Sequence, residues 1–280
     1  MPDGVKEPIN SLTVLDAVVV LAGVALFARW LLSTSLGRES LAHSKPRRNR
    51  MAFYLPFAVF MAWLLLQSTA LLVGDARTWQ GLFQRNLVGS AASLATVGII
   101  LVVAQLDFAR GIKGLGLRLR TAPKDLGLAF TTLLAVWPLV LAAMTLTILV
   151  TRELYGPSYR IPQHEALKLI TESGAVRLQV LLTVMAVVVA PLVEEMLFRG
   201  LFQTMIRSYL QRPWPAIVLT SLLFATIHED RSHWPSLFVL ALGLGYTYEK
   251  SGSLLRPILM HALFNGIAIA SVLTQGPGWI

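Results

Sequence analysis

Apolar runs long enough to cross a lipid bilayer make up most of this chain. They lie at about residues 13–34, 52–73, 86–106, 127–150, 178–198, 214–228, 235–248 and 253–273. Only 14% of its 280 residues are charged, whereas soluble proteins carry about 25%. Apolar stretches of about 18 residues are typical of transmembrane helices. The sequence therefore predicts an all-α, polytopic integral membrane protein with about eight transmembrane helices.

Three parts can be distinguished along the chain. Residues 1–150 contain the first four apolar runs and no motif that we recognise. Residues 151–177 are the longest polar connection, and the apolar spacing within HEALKLITES predicts a short amphipathic helix on the membrane surface. We interpret this connection as a solvated linker rather than a lid. Residues 178–273 contain the last four runs and most of the polar residues that interrupt apolar sequence, so we expect a C-terminal four-helix core.

Charge and cysteine content exclude several classes of protein. The net charge of +9 arises from basic residues in short loops such as HSKPRRNR, as expected beside an anionic cytoplasmic leaflet, so we expect contact with membrane lipid and no nucleic-acid partner. The chain has no cysteine, which excludes disulfides and thiolate chemistry. The N-terminal MPDGVKEPINS lacks the basic region of a signal peptide. We therefore expect a retained first helix and a multi-pass protein of a bacterial inner (plasma) membrane.

The first polar cluster interrupts the apolar sequence AVVVAPLVEEMLFRGLF. Glu195 and Arg199 are four residues apart, so a helix would place them on one face in the favourable order. Glu194 would point about 100° away and remain available for proton chemistry. An ionisable residue within a span is expensive and is a functional candidate by default. A charge cluster where the helix leaves the membrane is the alternative.

Two further clusters occur at the same four-residue spacing. Phe224 and His228 occur in LLFATIHEDRSHW, where the histidine continues the face of the sixth helix. The zinc-binding pattern HExxH fails here, because Ser232 occupies its second histidine position. His261 and Asn265 project from one face of the last apolar run and need a polar partner there. Structural hydrogen bonds are the alternative for both clusters.

Together the three clusters predict one hydrolytic centre. The two prolines of QRPWP at 211–215 end the fifth and sixth helices. Glu194 and His228 are equally distant from Gln211, so they reach similar depths on neighbouring antiparallel helices. A carboxylate and an imidazole polarise water, and His and Asn donors stabilise an oxyanion. The same Glu and His side chains are also possible zinc ligands.

The three clusters resemble the signatures of a known family. EEMLFRG, FATIH and HALFN are similar, in order and spacing, to the EExxxR, FxxxH and HxxxN signatures of the CAAX protease and bacteriocin-processing (CPBP, or Abi) family. The resemblance covers about residues 178–272. It implies an intramembrane endopeptidase similar to the CAAX prenyl endopeptidase, acting on a membrane-associated protein or peptide.

The resemblance also implies roles for individual residues. Glu194 would activate water with the help of His228, and His261 and Asn265 would complete the centre and form the oxyanion site. The supporting residues would be Glu195, Arg199 and Phe224. The family is described both as metal-dependent and as glutamate-dependent, so a metalloprotease binding zinc through Glu194, His228 and His261 stays open. We favour a glutamate-activated water that needs no cofactor, because Asn is a poor metal ligand.

Two other classes of function are compatible with the same residues. An ion- or proton-coupled transporter would bind its ion at the intramembrane charges. A non-catalytic scaffold or immunity protein would bind a peptide in the same cavity without cleaving it.

Overall fold

The computed structural model describes residues 14–162 and 165–275, and within them the fold is helical. Nine helices form the frame, and they are α1 (Val14–Ser33), α2 (Leu55–Ser68), α3 (Trp79–Asp107), α4 (Ala122–Tyr155), α5 (Glu165–Glu172), α6 (Val176–Leu210), α7 (Pro213–Thr226), α8 (Trp234–Ser251) and α9 (Leu255–Gln275). An isolated bridge between Asn49 and Phe108 is the sole β-type pairing in the described part of the chain. The predicted absence of a signal peptide concerns residues 1–11, which lie outside the described residues.

Each predicted apolar run coincides with a helix, but the expected number of eight spans is not confirmed. Six helical segments among the described residues are long and apolar enough to cross a membrane. Of the other two, α7 is apolar but has only 14 residues, and α8 has 18 residues but is more polar. The all-α polytopic fold is confirmed. The predicted surface segment contains a helix at α5, which has a strongly apolar side and buries Ile170.

Helix α6 is 35 residues long, or about 52 Å at 1.5 Å per residue, which exceeds a hydrocarbon core of about 30 Å. The helix continues unbroken past Arg199 and Gly200, although the predicted apolar run ends at residue 198. Instead it contains two π-helical segments, Met185–Val189 and Met196–Gln203. Such wide turns are rare and often occur at functional sites. The two glutamates lie between them, in the six-residue α-helical piece Ala190–Glu195.

The C-terminal helices pack around α6. Helix α8 lies between α7 and α4, α9 packs on α4, α8 and α6, and α3 covers another side of α6. The main core cluster is built largely from the second π segment, including Phe198, Leu201 and Phe202, all at most 1% exposed. Helix α1 touches the bundle mainly through α4. Helix α1 is therefore peripheral, α2 packs on α3 and on the second π segment, and the buried centre lies among α6–α9.

Two loops close one end of this bundle. The loop after α3 contacts the turn before α9, where Leu254 N donates to Gly116 O at 3.2 Å. Gly116 has a φ of +83°, and a Cβ there would lie 2.1 Å from the carbonyl oxygen of the glycine that ends α8, so only glycine fits. The loop after α1 crosses the ends of α6 and α8. The carbonyl of Ser44 in this loop accepts from Arg207 Nη2 at 3.2 Å. The carbonyl of Ser40 accepts from Lys250 Nζ at 2.6 Å. Both loops therefore tie the first half of the chain to the second.

Candidate active site

The paired glutamates of α6 have different surroundings. Glu195 is fully buried, and Arg199 Nη1 donates to its Oε1 at 2.8 Å. Arg199 is also fully buried, and its Nη2 donates to the carbonyl of Ala241 on α8 at 3.1 Å. Glu194 retains 15% exposure of its side chain. The structure thus has the i, i+4 pair predicted from the sequence and leaves Glu194 outside it.

His261 on α9 lies between the two carboxylates. Its Nδ1 is 3.0 Å from Glu195 Oε1, and its Nε2 is 4.0 Å from Glu194 Oε2. Glu195 forms an ion pair with Arg199, and a carboxylate can only accept hydrogen bonds. The shared proton is therefore on Nδ1, which leaves Nε2 facing Glu194. A carboxylate that fixes the tautomer and orientation of a histidine is a recurrent arrangement in enzymes.

Phe224 contacts both His228 and His261. Its ring is fully buried, and the centroids of His228 and His261 lie 5.0 and 5.8 Å from its own. The guanidinium carbon of Arg199 lies 4.7 Å from the same centroid, within cation–π range. The aromatic residue predicted as supporting therefore touches three polar members of the site.

The prediction that His228 lies on the sixth helix is wrong. Helix α7 ends at Thr226, and His228 lies in the turn beyond it. The apolar run stops at Ile227 and is followed by the polar sequence HEDRSH. The Nδ1 of His228 still donates to Phe224 O at 2.8 Å, and its own carbonyl accepts a hydrogen bond from Trp234 Nε1 at 2.8 Å. The ring is thus held by backbone contacts at the end of the helix.

Asn265 lies one turn beyond His261 and bonds to the first π segment. Its Nδ2 donates to Ala186 O at 2.7 Å. In that segment the N–H of Ala190 donates to the carbonyl five residues earlier, Met185 O. In the same pattern, Ala186 O would accept from the N–H of residue 191. That residue is Pro191, which has no N–H. Asn265 therefore satisfies a carbonyl that the helix itself cannot pair.

The proposed zinc ligands are not gathered as a ligand set. Among the described residues, no group of three His, Asp or Glu side chains is arranged to hold a metal ion. Nδ1 of His261 is committed to Glu195, and Nδ1 of His228 to Phe224 O. A metalloprotease is therefore not supported by this arrangement.

Some contacts of the site were not anticipated from the sequence. They are the backbone acceptors Ala186 and Ala241, and the side chains of Gln203 and Arg207 that continue the polar face of α6. Pro191 within an apolar run is a signal that a carbonyl needs an outside donor. The four-residue spacing of Glu195, Arg199, Gln203 and Arg207 is visible in the sequence and predicts one polar stripe.

The fold and the site together define a polytopic helical membrane protein with a buried Glu–His–Arg centre. Residues 176–267 match the family described as Type II CAAX prenyl endopeptidase Rce1-like. This match confirms the resemblance to a CAAX-protease-like family that the three motifs predict.

A curated relative from Escherichia coli is described as an uncharacterized 24.3 kDa protein. The two are 37% identical over 87 residues, which are 29% of this chain and 40% of the relative. The match thus spans less than half of that protein's length. No solved structure matches the chain.

Proposed function

We propose that this protein is an intramembrane endopeptidase in which Glu194 activates water to hydrolyse a peptide bond of a membrane-associated protein or peptide. The observation that carries the proposal is the position of His261 between Glu194 and the buried Glu195–Arg199 pair. The family match of residues 176–267 supports the same reaction class.

The attacking water would lie between Glu194 and His261. A separation of 4.0 Å between Oε2 and Nε2 is too long for a direct hydrogen bond but suits one bridging molecule. A water about 2.8 Å from each atom would subtend an angle near 90°. Glu194 would take the proton as the water oxygen attacks the carbonyl carbon, and would pass it to the leaving amine as the C–N bond breaks.

Glu195 and Arg199 act on the reaction through His261. The Nδ1–H···Oε1 bond at 3.0 Å fixes the imidazole plane, and the ion pair with Arg199 holds the carboxylate in place. With its orientation fixed, Nε2 can hold the water or share its proton without reorganisation.

His228 and Asn265 are our candidates for stabilising the oxyanion. His228 contacts the ring of Phe224, as His261 does. Its Nδ1 proton is given to Phe224 O, so His228 would donate from Nε2 only with both ring nitrogens protonated. One amide hydrogen of Asn265 is committed to Ala186 O, and the carboxamide has a second hydrogen to offer. Each such donor contributes about 10²–10³ in rate in well-studied hydrolases.

A groove beside the site supports a substrate that arrives through the lipid. It has a volume of about 350 Å³ and lies between α4, α6 and α9, with Leu126, Val187, Ala262 and Gly266 among its lining residues. Three of these residues are chain neighbours of Ala186, His261 and Asn265, so the groove lies at the same level of α6 and α9 as the polar centre, on an adjoining face. Its apolar lining suits a membrane-embedded segment or a lipid-modified end.

The test compares wild type with Glu194→Gln in cells whose own copy is deleted. Glu153→Gln, an exposed change on α4, is the matched control. We expect new peptide termini of membrane proteins with wild type and the control, and loss of these termini with Glu194→Gln. A synthetic peptide spanning the identified bond, cleaved by purified protein in proteoliposomes, would then give the rate.

Other outcomes would favour the competing functions. Unchanged termini with Glu194→Gln would refute the proposed role of this carboxylate. Ion flux in proteoliposomes without cleavage would instead indicate a transporter. A phenotype that survives Glu194→Gln but is lost on filling the groove with Gly266→Leu would indicate a peptide-binding scaffold.

A further inference from the structure

Helix α6 is joined to α8 by three hydrogen bonds that repeat at one interval. They are Arg199 Nη2 to Ala241 O at 3.1 Å, Gln203 Nε2 to Gly245 O at 3.0 Å and Arg207 Nε to Glu249 Oε1 at 2.9 Å. In each bond the acceptor lies 42 residues after the donor. We call these three bonds the polar ladder.

The constant separation determines how the two helices are aligned. Donors and acceptors both advance by four residues, so α6 and α8 run in the same direction, with rungs about 6 Å apart. Sliding either helix by one residue, about 1.5 Å, would misalign all three bonds at once. The ladder therefore specifies a single axial alignment.

The ladder is an expensive way to stabilise the protein. The described part of the chain has six buried side-chain atoms without a hydrogen-bond partner, and five of them lie along this line: Glu195 Oε2, Arg199 Nε, Gln203 Oε1, Arg207 Nη1 and Ser44 Oγ. Partly satisfied buried polar groups are often less stable than apolar side chains of similar volume. Buried polar residues retained at such a cost can serve to specify register, as a buried Asn does in coiled coils.

Gln203 is the uncharged middle rung, and α8 is shaped to receive it. A Cβ at Gly245 would lie 2.8 Å from Gln203 Oε1, so a side chain there would push the glutamine away. One turn earlier is Arg199, which also bonds Glu195, and Glu195 in turn bonds His261. The alignment of α6 on α8 therefore sets where Glu195 meets the imidazole.

We infer that Gln203 is a positioning residue, which together with Gly245 fixes the axial alignment of α6 on α8 and so holds the Glu195–His261 contact in place. The alignment is independent of what the protein does. Its effect on turnover rests on the proposed endopeptidase function.

Three variants separate alignment from stability. Gln203→Met keeps the length of the side chain and removes its polar atoms. Gln203→Glu keeps the shape but cannot donate to Gly245 O, and Gly245→Ala attacks the same contact from the other helix. Gln105→Met, an exposed glutamine on α3, is the matched control.

Alignment is measured directly by cross-linking. The chain has no cysteine, so Arg207→Cys and Glu249→Cys together place the only two thiols at the third rung. This pair removes that rung, so the alignment in the double-cysteine background depends on the first two, and all rates are compared within this background. With a short bifunctional methanethiosulfonate, we expect the cross-linking rate in the Gln203→Met background to fall by about tenfold, the size of one net hydrogen bond. The Gln105→Met background should leave the rate unchanged.

Turnover and stability are measured on the same variants without the added cysteines. We expect kcat to fall about tenfold with KM within about twofold, because Gln203 positions the site and does not bind substrate. The unfolding midpoint of Gln203→Met should stay the same or rise. A lower midpoint with unchanged turnover per folded molecule would make Gln203 merely structural and overturn the proposal.

The two proposals fail in different ways. An unchanged cross-linking rate in all three variants would refute the alignment role, whatever the activity. A reduced cross-linking rate in a protein whose wild type cleaves no peptide would support the alignment role and refute the endopeptidase.

Discussion

Asp125–Arg256 and Glu195–Arg199 are both carboxylate–arginine pairs that are largely buried. They differ in how many of their polar atoms have a hydrogen-bond partner. Both oxygens of Asp125 are used. Oδ1 accepts from Arg256 Nε and Nη2 at 3.0 and 2.9 Å, and Oδ2 accepts from the hydroxyls of Thr121 and Ser253 at 2.7 and 2.8 Å. This pair, which we call the joint, ties the start of α4 to the start of α9.

At the centre of α6 the polar atoms are not all paired. Arg199 and His261 both bond Oε1 of Glu195, whereas its Oε2 and the Nε of Arg199 have no partner within the described residues. The difference teaches that burial alone does not identify a site. A fully satisfied pair indicates a structural joint, and a buried pair with polar atoms left over indicates that the charge serves something besides stability.

The largest expected effect on stability is at the joint. Asp125→Leu removes the carboxylate that accepts from Arg256, Thr121 and Ser253, and breaking such a pair typically costs about 3–5 kcal/mol. Arg256 retains 17% side-chain exposure and can turn to water, so we expect about 3 kcal/mol. Denaturant unfolding in detergent measures it, with Glu153→Leu as an exposed control. Equal stability of the two variants would contradict the comparison.

A double replacement at the site should have the opposite profile. Glu195→Leu with Arg199→Met removes both charges and keeps most of the volume, so the free energy of unfolding should fall by less than at the joint, by about 1–2 kcal/mol, because His261 Nδ1 loses its acceptor. Peptide cleavage should fall by about 100-fold, because His261 loses its orienting partner. The matching double change, Asp125→Leu with Arg256→Met, should leave cleavage per folded molecule unchanged. Loss of cleavage in both would remove the distinction between the pairs.

An intermediate effect is expected where Asn265 meets the first π segment. Asn265→Leu should lower the free energy of unfolding by about 1–3 kcal/mol, because Ala186 O becomes a buried acceptor without a partner. Pro191→Ala restores an N–H that can bond this carbonyl, so the loss should be about 1 kcal/mol smaller in that background. A double-mutant cycle measures this coupling. Strict additivity would show that Asn265 does not replace the missing N–H.

The smallest effect is expected from trimming the joint without breaking it. Ser253→Ala removes one of four hydrogen bonds to Asp125 and should cost about 1 kcal/mol. Thr121→Val should cost a similar amount, and both variants should cleave peptide at the wild-type rate. The same unfolding assay measures them, and a loss comparable to that of Asp125→Leu would mean that Arg256 contributes little.

Hydropathy predicted the helices but not all of their ends. The run 253–273 became Leu255–Gln275, whereas the run ending at 198 continues to Leu210. The charge of Arg199 suggested the membrane surface, but the side chain is buried, with Glu195 and the carbonyl of Ala241 pairing its two Nη atoms. Such partners lie on other turns and other helices, so a count of apolar residues does not include them.

The site was predictable where it depends on spacing within one helix. The four-residue interval predicted the Glu195–Arg199 pair correctly. His261 lies between the two glutamates. This position depends on how far α9 is shifted along α6 and on how it is rotated about its axis. Equal distance from Gln211 suggested His228 as the partner of Glu194, but that argument assumed an unbroken helix to residue 228. Contacts between helices therefore required the structure.

The wide turns of α6 have a consequence for how this sequence can change in length. A π turn holds one residue more than an α turn, and each residue rotates the rest of the helix by about 100°. Deleting one residue from an α-helical part of α6 would turn the rest of the helix by this angle, and with it Glu194 and Glu195, whereas the wide turn Met185–Val189 can absorb such a loss by closing to an α turn. The direction of the carboxylates is thus encoded in a number of residues as much as in their identity. Over generations, insertions and deletions outside the wide turns would re-aim the candidate site while all of its side chains stayed in the sequence, whereas those inside them would leave its direction nearly unchanged.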